Sequence, residues 1–259
     1  MISVRIKNVR LFAMLVVIAL VWVSSGSFGQ TCGFGCLGLG GVYGGYTVQK
    51  YDAKGLNEYI QAYNSSHSAT LKEKMKEFGK SATGFRLGAN IFRTRNNSLF
   101  FSLKGYYQYL REEHTSTEEI SGSSFNTTYT LDLNYYGLGL DLGLVLGRNI
   151  DFKVIDAQVT FHSADFKPRT NLPDNQFSDI DFRNQKKIIG YTLGSGLIFH
   201  VIQNYISLEA TAGYTKFAFE KLENDNVQKI ENSFDSINDF VKNGGLSATV
   251  QLNVGIPLY

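Results

Sequence analysis

Apolar and polar residues alternate along most of the chain, which is the pattern of half-buried β-strands. In the last thirteen residues, "SATVQLNVGIPLY", every second side chain from Ala248 to Leu258 is apolar, and those between are polar, glycine or proline. Seven earlier segments repeat this pattern, so the sequence predicts eight strands. The predicted strands cover residues 40–51, 81–94, 98–110, 129–147, 152–162, 186–201, 205–219 and 247–259.

The apolar phase changes once within the fourth predicted strand. Leu131 and Leu133 are in one phase, whereas the leucines from Leu138 onward are in the other. One extra residue in a strand reverses the faces that follow it. The sequence therefore predicts a β-bulge near Tyr135 and Tyr136.

The connections between the predicted strands are alternately short and long. The short ones contain "RNN", "GRNI" and "QN", which are typical of tight turns. The long ones cover about residues 52–80, 111–126, 164–184 and 221–243. A membrane barrel has tight turns on one side and long loops on the other. The predicted fold is therefore an all-β, eight-stranded antiparallel up-and-down transmembrane β-barrel, with short periplasmic turns and long, partly helical extracellular loops.

The rival interpretation is a soluble β-sandwich or lipid-binding barrel, whose strands also alternate. The segments here run to ten or more residues, which fits a membrane-spanning strand better than a typical globular one. The polar face consists mostly of glycine, serine, threonine and asparagine, which suit the inside of a narrow barrel. Aromatic residues cluster near strand ends on the apolar face, as in the two aromatic girdles of membrane barrels. These features favour the membrane barrel.

The first 29 residues have the organisation of a secretory signal peptide. Three basic residues precede an apolar run from Leu11 to Val23, and small residues lead to a predicted cleavage after Gly29. An apolar run of this length is too short for a membrane anchor, which needs about 20 residues. Residues 30–259 are therefore predicted to form one outer-membrane barrel domain.

Composition adds two constraints. The formal net charge of +2 falls to −1 without the three signal-peptide cations, so no basic surplus points to nucleic acid. Cys32 and Cys36 lie four residues apart and are candidates for a local disulfide in an oxidising compartment. Free thiols are the alternative, whereas a metal site would need two further ligands that the neighbouring sequence lacks.

If the apolar face meets lipid, a set of charged residues faces the inside of the barrel. This set is Arg86, Lys104, Asp141, Asp156 and Glu209. An eight-stranded barrel is just wide enough for side chains to fill it, and charges in a poorly solvated interior should pair. We expect a packed polar network in the lumen, with an ion or proton path as the functional alternative.

Two of the long connections have apolar residues at helical spacing. The spacing recurs at Leu56, Tyr59, Ile60 and Tyr63, at Leu71, Met75 and Phe78, and at Val227, Ile230, Phe234, Ile237 and Val241. Barrel closure places these two connections side by side. We expect them to form one extracellular helical cap, or else a surface that binds an envelope protein partner. The expected contacts join Leu56, Ile60 and Met75 to Ile230, Phe234 and Ile237.

No catalytic, cofactor or metal site is expected. A lipid hydrolase would need a histidine beside a nucleophile and a carboxylate. The best arrangement in the chain is His162, Ser163 and Asp165, but consecutive residues point to opposite faces of a strand. The sequence contains no phosphate loop, nucleotide fingerprint or metal cluster.

The signal peptide, the turn–loop alternation and the terminal strand ending in Tyr259 resemble the small outer-membrane β-barrel family of Gram-negative bacteria, especially of Bacteroidota. The resemblance covers the whole mature chain. It implies residence in the outer membrane, contact with its lipids, and recognition of the terminal strand by the barrel-assembly machinery. Pro257 and an apolar register that ends at Leu258 depart from the family's terminal pattern.

The expected function is non-enzymatic. The protein would be a structural or adhesion protein, or a subunit of an envelope complex, since some members of this class support secretion or gliding. The alternatives are a porin-like channel for small solutes and, less favoured, a lipid-modifying outer-membrane enzyme.

Overall fold

The computed structural model describes residues 40–95, 97–171, 181–203, 205–223 and 239–255. The strands are β1 Gly41–Gln49, β2 Leu71–Glu73, β3 Ala82–Arg95, β4 Leu99–Ile120, β5 Ser123–Val145, β6 Ile150–Thr170, β7 Phe182–Arg183, β8 Ile188–Ile202, β9 Ile206–Lys216 and β10 Leu246–Val254. The helix α1 covers Lys54–Ser66. No helix of the described residues is both long and apolar enough to span a membrane.

Several predicted features lie outside the described residues. They are the signal peptide, Cys32 and Cys36, the cap residues Ile230, Phe234 and Ile237, and the chain end with Pro257, Leu258 and Tyr259.

Eight of the strands form a closed antiparallel barrel. Strands β3, β4, β5, β6, β8, β9 and β10 each pair with the next in this order, and β1 pairs with both β3 and β10. The closing pair runs from Val42 opposite Val254 to Gln49 opposite Ser247. Strand β2 is added beside β4, and β7 beside β6. The described part of the terminal strand is therefore fully paired, and the predicted eight-stranded barrel is confirmed.

The barrel is much taller on one side than on the other. Strands β4, β5 and β6 have 22, 23 and 21 residues, whereas β1 and β10 have 9 each. The excess length forms a three-stranded extension, here called the tall wall, made of residues 111–120, 123–134 and 163–170. The predicted long loop at 111–126 is wrong, because Ser121 and Gly122 alone join β4 to β5. Both have positive φ, as a type I′ hairpin turn requires.

The predicted bulge near Tyr135 is also wrong. Strands β4 and β5 stay in register from Leu99–Leu144 to Ile120–Ser123, so Leu131 and Leu133 point into the barrel. The apolar phase changes because the outward face turns polar in the tall wall, while the inward face there forms an apolar core. Along β5 the outward residues change from leucines to Asp132 and Thr130.

That core fills the barrel at the end where α1 and the tall wall lie, here called the loop end. The apolar face of α1 enters the barrel mouth and packs on the inner face of the tall wall. The buried residues include Leu56, Ile60, Met75, Phe78, Leu110, Leu131, Leu133, Phe166, Phe217, Phe219, Phe240 and Val241. The helix is also tied to the last connection, since the backbone N–H of Leu56 donates to the carbonyl of Phe240.

The second predicted helical stripe, at Leu71, Met75 and Phe78, is not a helix. Leu71 belongs to β2, and the chain then runs as an irregular segment across α1. Two amide side chains of α1 fix this segment. Asn57 forms hydrogen bonds of 3.0 and 2.8 Å with the backbone of Phe78, and Asn64 forms two of 2.9 Å with that of Met75.

The outward face between the loop end and the tight turns is a continuous apolar band. Large apolar side chains are strongly exposed there, as with Leu193 at 64% and Leu138 at 57%. The arrangement is the reverse of a soluble barrel, because the charges lie inside and the leucines lie outside.

Candidate functional site: the barrel interior

Five charged side chains form a closed ion network in the centre of the barrel. Lys104 Nζ lies 2.9 Å from Asp141 Oδ1 and 2.8 Å from Asp156 Oδ2. Lys153 Nζ lies 3.0 Å from Asp141 Oδ2 and 3.7 Å from Asp156 Oδ2, and it also pairs with Glu209. All five side chains are almost completely buried, so each charge depends on these partners.

Glycines on the inward face make room for the long side chains. Lys104 stands opposite Gly139 on β5 and extends past it to Asp156 on β6. A Cβ atom at Gly139 would lie 3.0 Å from Lys104 Cε and 3.0 Å from Gln158 Cγ. The small inward residues seen in the sequence are therefore the complement of the charged ones.

Arg86 is inside the barrel but lies beside the ion network. Its Nε donates to Gln108 Oε1 at 2.6 Å, and its guanidinium stacks 4.3 Å from the ring centroid of Tyr106. No ion pair of Arg86 is formed within the described residues. With Arg86 included, the central layer of the barrel holds three cations and three carboxylates, so the formal charge of this layer is balanced.

Lys153 was missed by the sequence prediction because strict alternation places it outside. The pairing of β6 with β8 shifts between Lys153 and Asp156, and Val154 and Ile155 both point outward. This bulge returns Lys153 to the inward face. The sequence signal was the adjacent pair of apolar residues between two charged ones, which no uninterrupted period-2 pattern accommodates.

A second ion cluster fills the barrel at the end where the tight turns lie, here called the turn end. Asp151 is fully buried and accepts hydrogen bonds from Arg95 Nη2 at 2.9 Å and Nε at 3.1 Å. His200 Nε2 lies 2.8 Å from Asp151 Oδ2, the oxygen that also accepts from Arg95 Nε. Arg95 Nη2 also donates to the carbonyl of Gly147, which fixes the cluster to the turn between β5 and β6.

At the loop end, polar contacts hold α1 against the tall wall. The Tyr63 hydroxyl donates to Glu118 and lies 3.1 Å from Ser116 Oγ. Burial and the hydrogen bond to Glu118 raise the pKa of Tyr63 above its ordinary value. Glu112 accepts a 3.1 Å hydrogen bond from the backbone N–H of Gly79 and faces His114.

The residues considered for catalysis are not assembled into one site. His162 points inward and stacks between Tyr135 and Phe217, with its Nε2 atom 2.7 Å from Thr160 Oγ1. Ser163 and Asp165 lie on the opposite, outward phase of β6. Within the described residues, no three histidine, cysteine, aspartate or glutamate side chains are grouped as metal ligands would be.

Comparisons with known proteins identify similar barrels of low sequence identity. A scan against protein-family models gave no match, and neither did a search of curated proteins. Among solved structures, the chain is similar to Ail, the attachment invasion locus protein of Yersinia pestis. The identity is 13%, with 83% of this chain and 96% of that chain covered and a TM-score of 0.36.

Two further solved structures are similar to this chain. For neisserial surface protein A the identity is 14%, with 84% of this chain and 97% of that chain covered and a TM-score of 0.40. For the outer-membrane protease OmpT of Escherichia coli the identity is 9%, with 84% and 94% covered and a TM-score of 0.38.

Proposed function

We propose that the protein is an outer-membrane β-barrel with an interior closed to solutes, and that its role is structural. It would act in adhesion or as a subunit of an envelope complex. The main support for this proposal is the inverted polarity of the barrel. Leucines lie on its outside, and a network of paired opposite charges lies inside.

The apolar band has the height that a membrane requires. On β4 the outward residues from Leu99 to Tyr109 are apolar, aromatic or, at one position, glycine, and they are polar from Arg111 onward. A tilted membrane strand needs about 9–11 residues, which is the length of this apolar part. Tyr107, Tyr136 and Tyr191 lie near its upper limit, where aromatic girdles meet the water interface.

The interior supports a closed barrel rather than a channel. The turn end holds the Asp151 cluster, the centre holds the ion network, and the loop end holds the apolar core with α1. Each layer is held by several contacts across the lumen. Opening a path for a solute would separate buried ion pairs, at a cost of about 3–5 kcal/mol for each uncompensated charge.

The tall wall supports a role at the cell surface. It continues the barrel beyond the apolar band as a paired sheet and presents a polar outer face to the surroundings. We also propose that the signal peptide directs export of the protein and is cleaved after Gly29. The barrel-assembly machinery would then insert the barrel, which could serve in a secretion or gliding complex.

A matched pair of substitutions on β5 tests the membrane assignment. Leu138 and Thr128 both point outward, but Leu138 lies in the apolar band and Thr128 in the tall wall. In phospholipid vesicles, Leu138→Arg should lower the free energy of unfolding by about 2–4 kcal/mol, and Thr128→Arg by about 0–1 kcal/mol. Equal, small effects of the two substitutions would show that the band does not face lipid.

A further inference from the structure

We propose that the outward surface at the base of the tall wall binds the phosphate group of an anionic lipid in the outer leaflet. The site, here called the headgroup site, consists of Arg111, Asn134, Tyr136, Lys167 and Lys187. The inference rests on the proposed function, because it needs the apolar band to lie in a membrane.

The pairing of the strands brings these residues together. Tyr109, Asn134 and Ser163 stand opposite one another on β4, β5 and β6, and Lys187 precedes β8 in line with them. In the next row, Arg111 stands opposite Asp132. The two rows lie where the outward face changes from apolar to polar, which is the depth of lipid headgroups.

Lys187 is the cation placed to meet a lipid. Its Nζ atom lies 4.9 Å from the ring centroid of Tyr136, and the side chains of both residues are exposed. Within the described residues no carboxylate forms an ion pair with Lys187. A lysine that covers an aromatic girdle residue places its charge at the interface while its stem lies along apolar surface.

Arg111 and Lys167 present two further cations to the same surface. Asp132 holds both, with Arg111 Nε at 2.7 Å from Oδ1 and Lys167 Nζ at 2.8 Å from Oδ2. The side chain of Asp132 is only 3% exposed, whereas those of Arg111 and Lys167 are 49% and 33% exposed. The carboxylate therefore lies beneath the cations, and the outer surface is positive.

The neighbouring acid does not cancel this charge. Asp165 stands opposite Asp132 on β6, and Arg183 stands opposite Asp165 on β7. Counting these residues with the headgroup site and with the exposed Glu113, which stands in the row of Lys167, gives four cations and three carboxylates. A phosphate monoester complements such a surface, because arginine and lysine donate charge-assisted hydrogen bonds to its oxygens. Its fatty chains would lie along the apolar band below Tyr136.

The test measures lipid binding to the full barrel in phosphatidylcholine nanodiscs that contain a small fraction of lipid A, a phosphorylated glycolipid. Native mass spectrometry counts the lipid A molecules retained after release. Lys187→Gln should weaken retention about fivefold, as expected for the loss of one interfacial charge. Tyr136→Leu, which keeps the apolar band but removes the ring beneath the ammonium, should weaken it by a smaller factor.

The matched control is Lys186→Gln, which removes the same charge from the adjacent exposed residue. We expect this variant to retain as much lipid A as the unchanged protein does. We also expect that dephosphorylated lipid A is not retained and that inorganic phosphate does not displace bound lipid A. Equal loss in Lys186→Gln, equal binding of the dephosphorylated lipid, or displacement by inorganic phosphate would each overturn the headgroup site. Failure of the protein to insert into nanodiscs would overturn the proposed function as well, whereas insertion without selective retention overturns this inference alone.

Discussion

Lys104 on β4 and Asp156 on β6 are joined across the intervening strand, with Nζ 2.8 Å from Oδ2. Gly139 on β5 leaves the space that this contact needs. A single buried ion pair costs desolvation free energy. Here Asp141 also pairs with Lys104, and Lys153 lies near both Asp141 and Asp156, so each buried charge has more than one partner. The contact therefore links three strands of the barrel through its interior.

Removal of Lys153 tests the importance of the ion network. Lys153→Met leaves Glu209 without its cation and deprives Asp141 of one of two. We expect the free energy of unfolding to fall by about 3–5 kcal/mol, because uncompensated charges remain buried. Denaturant titration of the barrel in detergent micelles measures the loss.

The control for that variant is Lys74→Met, which makes the same change at an exposed position of the loop after β2. Its effect should stay within about 0.5 kcal/mol. Similar stability of the two variants would show that water or rearrangement replaces Lys153, and that the network does not hold the strands together.

Gly137 tests the packing of the lumen. An added Cβ atom would collide with the ring of Tyr106, which occupies the space above this glycine. Gly137→Ala should therefore destabilise the barrel by about 1–3 kcal/mol through overpacking. Thermal unfolding, followed by the mobility shift between unheated and heated samples in gel electrophoresis, gives the measurement.

Two further variants make the interpretation of Gly137→Ala specific. Gly147→Ala lies in a tight turn where an added Cβ atom meets nothing within 4 Å, so it should be close to neutral. The double variant Gly137→Ala with Tyr106→Ala removes the ring and should show a smaller penalty than the two single effects added together. Strict additivity would indicate that the two side chains do not compete for space.

The sequence predicts the features that depend on regular period-2 alternation. It does not predict those that depend on an interruption of this alternation. The eight barrel strands and the inward position of Lys104 and Glu209 follow from this alternation, and the order of the strands follows from the succession of short and long connections. The inward position of Lys153 depends on a bulge, and a bulge moves side chains between faces without changing composition.

The tall wall was missed for a different reason. The alternation shows which face of a strand is apolar, but it does not show whether that face contacts lipid or a protein core. Leu131 and Leu133 are buried in the core, whereas Leu138 is exposed on the band. The structure separates the two cases because it shows α1 packed inside the barrel mouth.

A buried charge on α1 tests whether the helix closes the loop end. Ile60 is fully buried in the core, so Ile60→Asp should expel the helix, since an isolated carboxylate is not stable there. Protease added to whole cells should then cleave within residues 52–80 much faster than in the unchanged protein.

Ala62→Asp is the matched control, because Ala62 lies two residues further on the exposed side of the same helix. This variant should resist protease as well as the unchanged protein does. Rapid cleavage of the unchanged protein within residues 52–80 would contradict the packing of α1 into the barrel mouth.

Conductance across a planar lipid bilayer tests whether the interior of the barrel is closed to solutes. We expect the purified barrel to insert, as shown by heat-dependent gel mobility of the reconstituted sample, yet to produce no discrete current steps. A porin inserted under the same conditions supplies the positive control. Reproducible ohmic steps from the unchanged protein would contradict the closed interior, and steps that change when Lys104 is replaced by methionine would place the conducting path through the ion network itself.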